Sequence, residues 1–127
     1  MQKETLKKEL KKAQQWAKDN LIGKRIFHKG INNDVLFTYQ GIKHAMRART
    51  SLEKIKLMYH AEYLLKTSIL TDIQKDKKNR ADIKLVYRLY NTWKYKGKEY
   101  FVYIIVREIK NECIYYDHGI LNEKNPD

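Results

Sequence analysis

The sequence predicts an α+β domain, with N-terminal helices packed on one face of a four- to five-stranded antiparallel sheet that ends in a three-stranded meander. Three observations predict it. Apolar residues recur at helical spacing in the first half of the chain, β-branched and aromatic residues fill three runs in the last third, and short turn signals separate those runs. Helices first and a meander last make a layer of helices on one sheet face.

Residues 3–19 read as an amphipathic helix. Leu6, Leu10, Ala13 and Ala17 fall on one stripe with Trp16 beside it, while Lys3, Lys7, Lys11 and Lys18 point elsewhere. Asp19, Asn20 and Gly23 end it. Residues 24–28 form a short strand, residues 30–33 a turn, and residues 34–40 have strand composition. Gly41 opens a short helical segment that runs to Arg49. Thr50 and Glu53 have the spacing of a capping box, which starts a longer helix with Leu52, Ile55, Tyr59, Glu62 and Leu65 on one face. Residues 71–80 are polar and charged and read as a surface loop. Residues 83–93, 100–109 and 112–118 are the meander strands, joined by two-residue turns at Lys96-Gly97 and Lys110-Asn111. A single domain over residues 1–121 is expected, with residues 122–127 as a frayed tail.

Twenty-seven Lys and Arg against fifteen Asp and Glu leave a formal net charge of +12 on 127 residues. Such a balance draws polyanions at long range. Ten tyrosines and two tryptophans add flat rings that stack on bases. Cys113 is the single cysteine, which excludes an internal disulfide and a thiolate zinc site. His28, His44, His60 and His118 have no metal-ligand spacing, so no cofactor is expected. No apolar run is long enough for a bilayer, and the N-terminal stretch is too charged for a signal peptide's core, so the expected location is cytoplasmic.

The turns fix a register. With a turn at Lys96-Gly97, Tyr90 faces Tyr103 and Arg88 faces Ile105. With a turn at Lys110-Asn111, Ile105 faces Tyr116 and Tyr103 faces His118. One face then carries Leu85, Tyr87, Leu89, Tyr100, Val102, Ile104, Val106, Cys113 and Tyr115, and buries against the helices. The other carries Arg88, Tyr90, Tyr103, Ile105, Arg107, Tyr116 and His118, a set suited to gripping phosphate and stacking bases.

Cleaving RNA without a metal requires a base for the 2′-hydroxyl, an acid for the leaving oxygen and cations around the phosphorus. His44 and His118 are the acid–base candidates. Arg88 and Arg107 are the charge stabilisers, and Tyr116 orients the substrate. Lys43, Arg47, Tyr90 and Tyr103 complete the nucleic-acid contacts. His28 and His60 receive no role.

The words GIKHA (residues 41–45) and IYYDHG (residues 114–119), with the capped helix between them and the meander, resemble the barnase/EndoU/colicin/RelE-like (BECR) nuclease superfamily, in particular its phage and mobile-element branch. The resemblance spans roughly residues 24–120. It implies helices followed by a four- or five-stranded antiparallel sheet, and metal-independent ribonuclease activity, often as a toxin. It maps the family histidine to His44, the strand arginines to Arg88 and Arg107, and the final-strand polar residues to Tyr116 and His118. The barnase-like glutamate base has no clear counterpart, since Glu99 and Glu108 fall in the meander on faces the sequence does not settle.

The resulting expectation is a ribonuclease that acts on RNA, or else on DNA, and that an acidic antitoxin or immunity protein neutralises, with no membrane partner. Two other classes compete with it. One is a non-catalytic RNA- or DNA-binding module using the same face, and the other is an accessory protein that docks an acidic partner through its charge.

Overall fold

The computed structural model describes residues 3–47, 51–75 and 83–124. The chain runs α1 (Lys3–Asn20), β1 (Arg25–His28), β2 (Asn33–Phe37), α2 (Tyr39–Ala45), α3 (Leu52–Leu57), a 3-10 turn (Met58–His60) and α4 (Ala61–Thr67). It continues with β3 (Ile69–Lys75), β4 (Ile83–Tyr95), β5 (Lys98–Ile109) and β6 (Glu112–Lys124). The fold is α+β, as expected, built on one six-stranded sheet in the order β1-β2-β6-β5-β4-β3. Every neighbouring pair is antiparallel except β2 and β6.

The meander forms where the two turns predict it. Lys96 and Gly97 take φ of 51° and 77°, and Lys110 and Asn111 take 49° and 69°. Two successive left-handed residues give the mirror-image turn whose twist matches that of the flanking strands. Between β4 and β5, Tyr90 faces Tyr103 and Arg88 faces Ile105, as the turn dictates. Leu89, Val102, Ile104, Val106, Cys113 and Tyr115 are buried, against Ala13 and Ala17 of α1, Ile42 and Ala45 of α2, Ile55 and Leu57 of α3, and Leu64 and Leu65 of α4. Each large aliphatic side chain so buried contributes about 1.5–3 kcal/mol.

Five local expectations are corrected. Residues 71–75 are not loop but belong to β3, an edge strand whose half-solvated position explains its polar composition; residues 76–80 lie outside the described residues. The single helix expected after residue 50 is interrupted by the 3-10 turn Met58–His60, which divides it into α3 and α4. Its N-cap is Ser51, whose Oγ accepts from the Lys54 N–H at 3.1 Å, while Thr50 lies outside the described residues. Strand β2 stops at Phe37, since Thr38 caps α2 by accepting from the Gly41 N–H at 3.0 Å. Residues 122–124, expected in the tail, pair in β6, and residues 125–127 lie outside the described residues.

The register of β6 holds the most consequential difference. Arg107 faces Ile114 and Val106 faces Tyr115, as expected, but the pairing then slips by one residue. Ile105 faces Asp117 rather than Tyr116, and Tyr103 faces Gly119 rather than His118. Tyr116 is the extra residue of a β-bulge. Past it the in–out alternation of β6 is inverted, so His118 turns to the helix side and is 0% exposed. The expected exposed His118 is therefore corrected.

The Tyr115 hydroxyl donates to His118 Nδ1 at 2.6 Å, and His118 Nε2 donates to the Lys54 carbonyl at 3.2 Å, which ties α3 to β6. Burial, with Lys54 nearby, pushes the His118 imidazole down to about 4. An unfolded histidine titrates near pH 6.5, so between those values the unfolded chain binds the extra proton. The folding free energy is therefore full above about pH 6.5 and falls by about 3 kcal/mol as the pH drops to about 4. By NMR, the ring of His118 in the folded protein is expected to stay neutral down to about pH 4; a His118 titration near pH 6.5 would contradict its burial.

Candidate nucleic-acid interface at the bulge of β6

Strand β2 covers β6 only across Cys113, Ile114 and Tyr115. Beyond that point α2 and α3 lie against β6 instead. Gly41 permits the approach, because a Cβ at that position would overlap the Tyr115 carbonyl oxygen. One turn later on α2, His44 reaches the bulge and stacks on Tyr116, with ring centroids 3.9 Å apart and planes 29° apart. The Arg107 guanidinium, from β5, sits 3.4 Å from the centroid of the same ring. Two planar groups that close to one centroid take opposite sides, so Tyr116 is sandwiched between imidazole and guanidinium. Arg107 Nε is buried and makes no hydrogen bond among the described residues, an N–H donor still owed an acceptor.

Asp117, beside Tyr116, gathers the remaining charge. Its Oδ2 is 3.4 Å from Arg47 Nη1, and its Oδ1 is 3.6 Å from Lys54 Nζ and 3.9 Å from His44 Nδ1. The His118 N–H donates to Oδ1 at 2.9 Å. The Asp117 and Lys54 side chains are only 11% and 14% exposed, so their attraction is little screened, but each ion also loses hydration. Burial pushes the Lys54 ammonium below its ordinary value, against the pull of Asp117. Together with Arg107, these two cations, Arg47 and Lys54, act on His44.

His44 is tuned by the same group. Burial lowers its pKa most, Asp117 pulls it back up, and Arg47, Arg107 and Lys54 push it down again. Its Nδ1 has two alternative neighbours. In the neutral ring it accepts from Arg47 Nη1 at 3.2 Å, which puts the ring proton on Nε2. If Arg47 is drawn away, the proton moves to Nδ1, facing Asp117, and Nε2 carries the lone pair.

Arg107, Tyr116, His44 and Arg47, all named from the sequence, thus lie together. Arg88, Tyr90 and Tyr103 continue the same sheet face: Tyr103 lies across Gly119, where a Cβ would collide with its ring, Tyr90 pairs with it, and Arg88 is exposed beside Ile105. His118 lies beneath the site rather than in it. Lys43 faces the other side of α2, toward α1. Glu108 sits on the helix side of the sheet, beside Tyr87 and Cys113. Asp117 and Lys54 were missed from the sequence. Strict alternation assigns Asp117 to the apolar face with Tyr115, and that misfit was the available sign of a bulge. Lys54 carried no sign, being one lysine among many.

A protein-family model described as large polyvalent protein-associated domain 3 matches residues 4–116. That span contains His44, Lys54, Arg107 and Tyr116 and stops just before Asp117. Neither the curated proteins nor the solved structures provide a match. Among the described residues no helix is long and apolar enough to cross a membrane, and no three metal-ligating side chains cluster.

The charge arrangement predicts opposite responses in His44. Asp117→Asn removes the attraction that holds the imidazole up, so its pKa should fall further; Arg47→Ala removes a repulsion, so it should rise. Titration of the His44 ring by NMR reads both shifts, and equal pKa values in the two variants would show that Asp117 and Arg47 do not act on it.

Proposed function

The chain belongs to the large polyvalent protein-associated domain 3 family, and on that premise we propose that it is a metal-independent ribonuclease of the BECR type, a toxin or effector of phages and mobile elements acting in the cytoplasm. The observation that carries this reading is the sandwich of His44, Tyr116 and Arg107 beside the Asp117 carboxylate. It combines, at one point of the sheet, a titratable imidazole, a guanidinium with an unfilled donor and further cations.

In this reading the scissile phosphate is held by Arg107 and Arg88, and it draws Arg47 off His44. The imidazole proton then faces Asp117, and Nε2 takes the 2′-hydroxyl proton as that oxygen attacks phosphorus. The bond to the 5′-oxygen breaks, leaving a 2′,3′-cyclic phosphate, and Lys54 returns a proton to the leaving oxygen. Tyr116, Tyr90 and Tyr103 orient and stack the bases. His118 acts as a positioning residue, holding Lys54 and Asp117 in register. No cofactor takes part, and an acidic protein partner that covers the cations would neutralise the activity. A second reading, an RNA- or DNA-binding module, is favoured by one observation: Glu108, a candidate for the barnase-like base, lies on the helix side, away from the cations.

A labelled RNA pool incubated with excess EDTA separates the two. The expected outcome is cleavage that survives EDTA and drops about 10²- to 10⁴-fold in His44→Ala, with affinity kept within a few-fold. Because the base must be neutral and its pKa is lowered, the rate should rise with pH through a value below 6.5, and it should fall again in the alkaline range as Lys54, whose pKa is also lowered, loses the proton it donates. Binding without cleavage in the wild type would retire the enzyme and leave the binding module.

A further inference from the structure

Helix α2 has a second side. Between it and α1 runs an open groove of about 510 Å³, lined by Lys11, Gln14, Gln15, Lys18, Ile22, Tyr39, Ile42 and Lys43. We propose that this groove is a second nucleic-acid subsite, which takes one or two nucleotides of single-stranded RNA flanking the segment bound at Tyr116. The proposal rests on the RNA reading of the bulge site, but not on catalysis there.

Three features carry it. First, the cations are uncommitted: Lys12, Lys24, Lys56 and Lys98 all sit within ion-pair distance of glutamates, whereas Lys11, Lys18 and Lys43 form no ion pair among the described residues. No carboxylate lines the groove, and Asp19, one turn along α1, accepts a hydrogen bond from Gln15 at 3.0 Å. Second, Tyr39 is 57% exposed, a flat ring that lines the groove together with the lysines and the apolar Ile22 and Ile42. Stacking rings beside phosphate-binding cations are how single strands are held without regard to sequence, whereas free phosphate has no use for the ring. The cavity size is in the range that small ligands fill.

Third, the groove is continuous with the bulge site. Lys43 and His44 are consecutive on α2 and so project about 100° apart, one to each side. The Gly41 contact with Tyr115 holds α2 on the sheet, and Gln14 Nε2 donates to the Met46 carbonyl at 3.4 Å, linking α1 to the end of α2. A strand leaving Tyr116 across α2 therefore meets a fixed wall of lysines rather than open solvent.

The test compares binding of a labelled 12-nucleotide single-stranded RNA across a salt series with turnover of a dinucleoside phosphate too short to reach the groove. The double variant Lys11→Ala/Lys18→Ala should reduce the salt slope of log affinity by about 1.4, from two lost phosphate contacts at about 0.7 each. Tyr39→Ala should weaken the 12-mer roughly tenfold, the loss of one stacked base. Both should leave dinucleoside turnover and the circular dichroism spectrum unchanged, since all three replaced side chains are exposed. An unchanged slope and affinity for the 12-mer would overturn the subsite. A wild type that binds the 12-mer without cleaving either substrate would retire the nuclease while the slope still decides the subsite. A wild type with no affinity for the RNA would sink both.

Discussion

One extra residue in β6 determines the chemistry of this surface. Without the bulge at Tyr116, alternation would put Asp117 into the core beside Tyr115, where an ionised carboxylate would cost several kcal/mol. It would also leave His118 on the open face. With it, Tyr116 and Asp117 stand side by side toward Arg107 and His44, and His118 becomes the buried peg that joins Tyr115 to the α3 backbone. Bulges re-aim side chains in this way at the cost of a local break in the ladder. Here the break falls where β2 no longer covers β6, so α2 and α3 rather than a strand supply the missing neighbours.

The electrostatics follow from that geometry. A single carboxylate cannot neutralise Arg47, Lys54 and Arg107, so the group keeps an excess of positive charge in a partly desolvated place. Asp117 prevents that excess from expelling its own members, and it leaves Arg47 a choice between His44 and an incoming anion. Burial above all, with the repulsion of Arg47, Arg107 and Lys54 added, holds His44 below its ordinary pKa and so favours the neutral ring that a proton acceptor needs. Buried beneath, the neutral His118 adds no charge and holds the two elements together.

Much of the architecture was legible in the sequence, and the reasons are physical. Mirror-image turns at Lys96-Gly97 and Lys110-Asn111 dictate two strand pairings, and the apolar alternation of β4 and β5 assigns their buried face. The edge strand β3 was not legible, because a solvated edge and a polar loop share a composition. The parallel pairing of β2 with β6 was not legible either, since no short turn links strands so far apart in sequence. Within the site, His44, Arg47, Arg107 and Tyr116 could be named, yet their convergence depends on Gly41 lying against the Tyr115 carbonyl, a tertiary contact. Asp117 and Lys54 were hidden by the same bulge that makes them neighbours.

The account stands on the bulge face being where nucleic acid binds, and NMR chemical-shift mapping with a 2′-O-methyl RNA, which binds but lacks the attacking hydroxyl, tests that most directly. The account predicts that the largest shifts gather on His44, Arg107, Tyr116 and Asp117. Shifts that leave those residues unmoved and cluster instead along the β3 edge would contradict it.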